Sequence, residues 1–312
     1  MKGTEYMKIE NISIVGMGAL GVMYGDFFTR KLGKEHVDFI VDRARIERFQ
    51  QHGMFCNHLP CDFTLTDEAE TGRPADLLIF AVKSTDLETA IHSVRNKVSA
   101  HTIILSILNG ISSEEMIGRT YGMDQILHCI VQGMDTIKEN NKVTYAHFGQ
   151  IRLGIHGNSS IKKQNLTDVI ELFERIDMPY AVESDIIRRM WCKLMLNVGV
   201  NQSVMIYEGT YATVQKPGEA RALMQAAMKE VIQVAQKEDV LITQADFDEY
   251  VQLVDTLSPE GMPSMRQDGL AHRKSEVELF SGTIVALAKK HGLDVPINRK
   301  IYKTILEMEH AY

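Results

Sequence analysis

A stripe of polar side chains lies on the otherwise apolar stretch of residues 190–201. Lys193, Asn197 and Asn201 are spaced four residues apart, so in a helix they lie within about 80° of arc on one face. Burying an ammonium group and two amides costs free energy unless each finds a polar partner. A bound polar ligand would supply such partners, and so would a structural network or a domain interface. The spacing alone leaves these interpretations open.

A G-x-G-x-x-G loop lies between a short β-rich run and a stretch with helical periodicity, the setting in which the motif has a physical meaning. The first glycine permits the tight turn, the second lets the backbone approach a pyrophosphate, and the third lets the helix pack close to the strand. The N–H groups that open the helix then favour phosphate. We predict a dinucleotide site here, with a bare βα turn as the alternative. The loop consists of Gly16, Met17, Gly18, Ala19, Leu20 and Gly21.

Three further residues follow predicted strands directly or closely. Asp42 ends the second strand, about 20 residues past the glycines, where a carboxylate binds a ribose 2′-hydroxyl. Lys83 follows the apolar strand 77–82, and Asn109 precedes Gly110 after the next strand. We expect Lys83 and Asn109 at the sheet edge where cofactor and substrate would meet. A solvated lysine and an ordinary turn pair are the alternatives.

Two residues of the second half complete the candidates. Ser264, with Gln267 three residues later, has the form of a capping box, so we expect Ser264 to be a helix N-cap. Glu276 lies three i+4 steps further along, on a related face. By itself Glu276 would be interpreted as a solvated charge.

The elements that must position these residues change character along the chain. Strands and helices alternate in the first half, which predicts a parallel sheet with helices on both faces. The second half carries helical periodicity with almost no strand signal. We therefore predict an α/β fold, with a Rossmann-type dinucleotide-binding domain at 1–183 and an all-helical domain at 184–312. The predicted strands are 12–15, 37–41, 77–82, 102–106, 126–132 and 151–155, and the predicted helices include 18–31, 43–52, 86–98, 185–206, 218–238, 243–256, 265–291 and 297–309.

Composition excludes several classes of protein. The 312 residues carry a formal net charge of −7, which lacks the basic field that nucleic-acid binding needs. No apolar run is long enough to span a bilayer, and the N-terminus lacks the apolar core of a signal peptide, so we expect a cytoplasmic protein. The four cysteines have the wrong spacing for a zinc site, and we expect free thiols and no metal.

Taken together, these segments resemble the ketopantoate reductase (2-dehydropantoate 2-reductase) family over nearly the whole chain. The glycine loop matches the family's cofactor loop, Lys83 the lysine after the third strand, and Asn109-Gly110 the asparagine turn. The stripe from Lys193 to Asn201 matches the catalytic helix. Pro263-Ser264-Met265 with Glu276 matches the substrate serine and glutamate. The glycine loop is shared by many dehydrogenases, whereas the last two segments are far more specific.

The resemblance implies reduction of the C2 ketone of ketopantoate to (R)-pantoate by hydride from NADPH, a step of pantothenate and coenzyme A biosynthesis. Lys193 would donate the proton and stabilise the charge on the ketone oxygen. Asn197 and Asn201 would orient the substrate, and Ser264 would hold its carboxylate. Glu276 would bind the substrate hydroxyl or orient Lys193. As further cofactor contacts the resemblance implies Lys83 and Asn109.

The chain departs from the family pattern at two positions. Members typically carry an arginine at the end of the second strand, where this chain has Asp42 followed by Arg43. The carboxylate favours NAD, Arg43 could rescue binding of NADP, and the family favours NADP. Tyr211, where some members have asparagine, leaves the exact 2-keto acid open. A reductase of another branched 2-keto acid, a non-catalytic nucleotide sensor and a homodimer all remain open as well.

Overall fold

The computed structural model describes residues 8–312, which form two compact units. The first unit runs to Leu108 and includes Ser112–Ile186. The second unit consists of Ile187–Tyr312 together with the short segment Asn109–Ile111. This segment follows a strand of the first unit in sequence but makes its contacts within the helical unit.

The first unit is built on an eight-stranded sheet with the strand order β12-β11-β8-β7-β6-β1-β2-β5. A smaller four-stranded sheet has the order β4-β3-β10-β9. The strands are β1 (Ile12–Val15), β2 (Val37–Val41), β3 (Phe55–Cys56), β4 (Leu59–Pro60), β5 (Thr64–Asp67), β6 (Leu77–Phe80), β7 (Ile103–Ser106), β8 (Ile126–Met134), β9 (Ile137–Glu139), β10 (Lys142–Thr144), β11 (Phe148–Gly154) and β12 (Tyr180–Val182).

The central strands confirm the predicted Rossmann-type sheet. β1 pairs in parallel with β2 and β6, and β6 pairs in parallel with β7. All four residues of β1, β6 and β7 are buried, which explains why these strands are apolar without alternation. The sheet is mixed rather than purely parallel, because β11 runs antiparallel to β8. Apolar runs indicate burial on both faces but do not carry the direction of the strand.

Helices cover the sheet of the first unit. They are α1 (Ala19–Leu32), α2 (Arg43–His52), α3 (Leu87–Ser93), α4 (Ser113–Tyr121) and α5 (Ser160–Arg175). Two apolar cores result. One contains Phe28, Phe39 and Phe173, and the other contains Phe80 and Ile117.

The second unit consists of helices joined by loops. The structure describes all of Ile187–Tyr312 and shows no strand in that range. The predicted helix 265–291 is broken, because α10 ends at Leu270 and a π-helical turn, Glu278–Gly282, precedes α11. The helices are α6 (Ile186–Ile206), α7 (Tyr211–Gln215), α8 (Glu219–Lys237), α9 (Gln244–Thr256), α10 (Ser264–Leu270), α11 (Thr283–Lys290) and α12 (Pro296–Glu309).

Helix α6 contributes Leu194, Met195 and Val198 to the apolar core of the second unit. At its beginning, the Arg188 guanidinium donates to both carboxylate oxygens of Asp246 on α9, at 2.6 and 2.7 Å. Burial raises the pKa of Asp246, but the hydrogen bonds from Arg188 and Thr243 lower it more, so the net shift is downward. This ion pair fixes the start of the helix that carries the predicted stripe.

The four cysteines are free and buried. Burial raises the pKa of Cys56 and of Cys192 to about 12, so both stay as thiols at neutral pH. In the part of the chain that the structure describes, no three metal-ligating side chains come together. Within the same residues, every helix is too short or too polar to cross a bilayer.

Candidate active site

The glycine loop has the geometry that the motif predicts at two of its three glycines. Gly16 has φ +107°, and a Cβ there would lie 2.5 Å from the carbonyl oxygen of Ala81. A Cβ on Gly21 would lie 2.0 Å from the carbonyl oxygen of Gly16. Both positions therefore require glycine for the fold itself, independently of any ligand.

Gly18 is different from the other two glycines. It is exposed, has φ −72°, and a Cβ there would meet only the Ala81 carbonyl oxygen, at an ordinary 3.6 Å. Gly18 is also the N-cap of α1, and no side chain caps the helix there. The backbone N–H groups of Ala19 and Leu20, in the first turn of α1, therefore have no side-chain cap and can donate to a bound anion. This arrangement fits a pyrophosphate, which needs uncovered backbone at the second glycine.

The predicted ribose residue, Asp42, has a structural role. It is the N-cap of α2, where it accepts from the backbone N–H of Arg45 at 2.8 Å and pairs with the Arg45 guanidinium at 3.0 Å. Arg43, the predicted phosphate residue, lies 3.5 Å from Glu47 with its side chain 71% exposed. The structure thus gives Asp42 and Arg43 different partners at the start of the same helix.

Lys83 lies three residues past β6, is exposed, and is the N-cap of a short 3-10 turn, Ser84–Asp86. The Ala81 N–H donates to the carbonyl oxygen of Val15, the last residue of β1. The segment that leads to Lys83 therefore leaves the sheet at the same edge as the glycine loop.

Asn197 and Asn201 lie on the Lys193 face of α6, as predicted. They are only 8% and 9% exposed, and Lys193 is half-buried. Among residues 8–312, the side-chain amides of Asn197 and Asn201 have no hydrogen-bond partner. Neither amide is fully enclosed, so each remains accessible to solvent or to a bound polar ligand.

The next residue, Gln202, shows how an amide of the same helix is buried for structure. It is fully buried, its Nε2 donates to the Val198 carbonyl at 2.8 Å, and its Oε1 accepts from the Ser281 N–H at 3.2 Å. Ser281 Oγ then donates to Asn298, whose side chain and N–H both donate to the buried carboxylate of Glu230. The network interpretation left open by the sequence applies to this face of α6.

Asn109 and Glu276, which are 167 residues apart, meet within the second unit. The Asn109 Nδ2 donates to the Glu276 Oε2 at 2.8 Å, and the position of a Cβ on Gly110 is 3.5 Å from Leu279. Glu276 is half-buried and is therefore not the solvated charge that its position alone suggests. Sequence spacing could not predict this pair, because the two residues lie in separate predicted elements.

The expected capping box at Ser264 is wrong. Helix α10 begins at Ser264 with Pro263 as its N-cap, and no side chain caps it. The Gln267 side chain instead donates to the Met262 carbonyl at 3.1 Å. Ser264 is exposed, and its hydroxyl has no partner among the described residues. Proline at the preceding position, with φ −70°, already supplies the extended backbone of an N-cap and displaces the serine into the helix.

One contact of the glycine loop was not predicted from the sequence. The Lys138 ammonium, on β9, donates to the carbonyl oxygen of Met17. Strand β9 has only three residues and lies 121 positions from the loop, so neither periodicity nor spacing signals the contact.

Comparisons with known proteins agree along the whole chain. The family model "Ketopantoate reductase PanE/ApbA" matches residues 12–158, and "Ketopantoate reductase PanE/ApbA C terminal" matches residues 185–309. The chain belongs to the ketopantoate reductase PanE/ApbA family. A 2-dehydropantoate 2-reductase of Aquifex aeolicus is 28% identical over 301 residues, covering 95% of this chain and 96% of that one. A 2-dehydropantoate 2-reductase of Pyrococcus horikoshii is 24% identical and covers 96% and 97%.

Solved structures share the fold at lower identity. D-mandelate dehydrogenase with NADH and anilino(oxo)acetate has a TM-score of 0.86 at 21% identity, covering 96% of this chain and 99% of that one. A PanE/ApbA family ketopantoate reductase from Ralstonia eutropha has a TM-score of 0.83 at 20% identity, with the same coverage. A dimeric ketopantoate reductase from Staphylococcus aureus has a TM-score of 0.77 at 22% identity, again with the same coverage.

Proposed function

We propose that this chain reduces the C2 ketone of ketopantoate to pantoate with hydride from a nicotinamide dinucleotide. The observation that carries the proposal is the Lys193 face of α6, where the amides of Asn197 and Asn201 are buried and bond to nothing among the described residues. A polar substrate at this face would make hydrogen bonds with the two amides that the protein itself does not supply. Family membership supports ketopantoate as that substrate.

Lys193 is the proton donor of this proposal. Reduction places negative charge on the ketone oxygen, and a lysine ammonium held beside it stabilises that charge and then delivers a proton to the oxygen. The lysine emerges half-buried from a helix whose other faces pack in the core, so its position is fixed by α6. A positioned general acid contributes about 10²–10⁴-fold to the rate.

The remaining residues orient the substrate. Asn197 and Asn201 donate to or accept from its polar groups through the amides that the protein leaves unbonded. Ser264, which is exposed and does not cap its helix, is assigned the substrate carboxylate. Glu276 is assigned the substrate hydroxyl, with Asn109 holding one of its oxygens at 2.8 Å.

The glycine loop and the residues near it are assigned to the cofactor. The bound nicotinamide supplies the hydride. Gly18 leaves its backbone uncovered, and α1 begins without a side-chain cap, so the loop residues 16–21 hold the pyrophosphate. Lys83 is assigned a cofactor contact at the same edge of the sheet.

The test is oxidation of NADPH and of NADH with ketopantoate, 2-oxoisovalerate and phenylglyoxylate offered in parallel. The proposal predicts the highest kcat/KM with ketopantoate. A higher value with another 2-oxo acid would keep the reaction and reject the substrate. Binding of a dinucleotide without turnover of any 2-oxo acid would favour a nucleotide sensor and overturn the proposal.

A homodimer and a cytoplasmic location remain predictions. The dimer is supported by the shared fold of the Staphylococcus aureus enzyme described as dimeric. Light scattering after size exclusion should give about twice the chain mass of 35.2 kDa. A single species at the chain mass would contradict the dimer without affecting the reaction.

A further inference from the structure

The loop that follows α10 joins two residues that the proposed function assigns to the substrate. Ser264 begins α10, and Glu276 lies at the end of the loop, just before the π-helical turn Glu278–Gly282. Residues 271–274 are exposed and lie in no helix or strand. A loop of this kind fixes the position of a carboxylate only when other elements hold its backbone.

Helix α12 bonds to the chain on both sides of Glu276. On the N-terminal side, the backbone N–H and the hydroxyl of Ser275 both donate to the same oxygen of Glu309, Oε1, at 2.8 and 2.5 Å. On the C-terminal side, the Tyr302 hydroxyl donates to the Glu278 Oε1 at 2.6 Å. This bond raises the pKa of Tyr302 to about 12, so the phenol keeps its proton at neutral pH.

The two bonding residues of α12 belong to one face of a helix that the core holds in place. Tyr302 and Glu309 are seven residues apart, which is about two helical turns, so they share a face. Ile301 and Ile305 of the same helix are fully buried. Glu230 on α8 accepts from backbone N–H groups at the start of α12. The helix therefore offers the loop a fixed support.

The first half of the loop is held by other contacts. The Arg273 Nε donates to the buried carboxylate of Asp268 at 2.8 Å, and the Arg273 N–H donates to the Asp268 carbonyl at 2.9 Å. The rings of His272 and Tyr312 stack with their centroids 5.0 Å apart. None of these contacts involves Glu309. A change at Glu309 therefore acts on the half of the loop that adjoins Glu276.

We propose that Glu309 is a positioning residue, which holds the backbone at Ser275 so that the Glu276 carboxylate lies in place for the substrate. The inference rests on the proposed function, in which Glu276 binds the substrate hydroxyl. The Asn109 Nδ2 donates to the Glu276 Oε2 at 2.8 Å, and a shift of the backbone would lengthen and weaken that bond. Displacing a substrate-binding group by about 1 Å is enough to slow a reaction substantially.

The test compares Glu309→Ala with Glu309→Gln. Both bonds from Ser275 end on one oxygen, so the amide oxygen of glutamine can accept them, whereas alanine accepts neither. Glu309→Ala should lower kcat/KM for ketopantoate by about tenfold or more, with most of the loss in KM, and change the Kd of the dinucleotide by less than about twofold. Glu309→Gln should stay within about threefold of the unmodified kcat/KM.

Glu307→Ala is the matched control. Glu307 lies on the same helix, is exposed, and pairs with Lys303 at 3.7 Å. Its loss should leave kcat, KM and the Kd of the dinucleotide unchanged. If Glu309→Ala does not fold, Ser275→Ala takes its place. This variant loses the short bond from the hydroxyl and keeps the one from the N–H, so kcat/KM should fall about two- to fivefold.

A double-mutant cycle separates positioning from a general loss of structure. When Glu276 is already replaced in Glu276→Ala, there is no carboxylate left to position. Glu309→Ala should then lower kcat/KM by less than about a further twofold. A residue that only stabilises the fold would instead lower kcat/KM by the same factor in both backgrounds.

Several results would overturn the inference. Unchanged kcat/KM in Glu309→Ala, or in Ser275→Ala where that variant takes its place, would do so. Equal losses in Glu309→Ala and Glu309→Gln would do so as well, and so would full additivity with Glu276→Ala. In each of these cases the unmodified protein still reduces ketopantoate, so the proposed function would stand. Failure of the unmodified protein to turn over any 2-oxo acid would overturn both proposals together.

Discussion

On one face of α6 the Gln202 amide is bonded at both ends, whereas on the other face the amides of Asn197 and Asn201 bond to nothing among the described residues. All three side chains are amides in buried residues, but Gln202 is fully enclosed whereas Asn197 and Asn201 are 8% and 9% exposed. The first face continues through Ser281 into a closed network, while the second carries Lys193. The difference supports the proposal that Asn197 and Asn201 serve the substrate, whereas the Gln202 amide serves the fold. A missing bond does not by itself mark the site, since the buried Ser203 hydroxyl of the same helix also has no partner among the described residues.

The largest effect should come from the functional face. Lys193→Ala should lower kcat by about 10²–10⁴-fold, because the general acid is removed, while the Kd of the dinucleotide stays nearly unchanged. Steady-state kinetics and calorimetric titration measure the two quantities. Turnover at the rate of the unmodified protein would reject the role assigned to Lys193.

The hydrogen-bond network that begins at Gln202 should respond in the opposite way, with a loss of stability rather than of activity. Glu230 on α8 accepts from the N–H groups of Ile297 and Asn298, and from the Asn298 side chain, at 2.8–2.9 Å. Glu230→Ala should lower the free energy of unfolding by roughly 2–4 kcal/mol, because buried donors at the start of α12 lose their acceptor. Urea titration measures the loss. A stability within about 0.5 kcal/mol of the unmodified protein would contradict a structural role for this network.

A smaller effect is expected at the first unbonded amide. Asn197→Ala should lower kcat/KM for ketopantoate by about 10–100-fold, because a substrate hydrogen bond worth roughly 1.5–3 kcal/mol is lost. The free energy of unfolding should stay level or rise, since no bond within the described protein is broken. A stability loss matched by unchanged kinetics would instead assign Asn197 to the fold.

The smallest effect concerns the ion pair that fixes the start of α6. The pKa of Asp246 is lowered in the folded state, so the stability gained from its ionised form is present above its unfolded pKa, near 4, and is lost as the pH falls further. Asp246→Asn should therefore differ from the unmodified protein by a constant amount above about pH 5 and by less below about pH 4. Denaturation at a series of pH values measures this difference. A difference that grows on acidification would contradict the assigned direction.

Much of the cofactor half could be predicted from the sequence, because its signals are local. The glycine loop, β1 and β6 are predicted from contiguous residues whose types are dictated by close backbone approach or by burial on both faces. Strands such as β3 and β9 could not be predicted, since two or three residues are too short for a periodic pattern.

Most helices of the second unit could be predicted from the sequence, but the side-chain contacts that build its candidate site could not. Spacing places Lys193, Asn197 and Asn201 on one face, yet it cannot show which amides of α6 find partners, because those partners lie on other helices. The bond from Asn109 to Glu276 and the contact of Lys138 with the glycine loop are likewise tertiary. The capping box predicted at Ser264 is wrong for a local reason, since the proline before the serine takes the N-cap position.

The most direct test compares two adjacent residues of α6. Asn201→Ala and Gln202→Ala each remove one buried amide, and kcat/KM with ketopantoate and the free energy of unfolding are measured for both. The account predicts that Asn201→Ala loses about tenfold or more in kcat/KM at full stability. Gln202→Ala should lose roughly 1–3 kcal/mol of stability, because the Ser281 N–H and the Val198 carbonyl lose a partner. Equal losses of stability with equal kinetics in the two variants would contradict the division of α6 into a structural and a functional face.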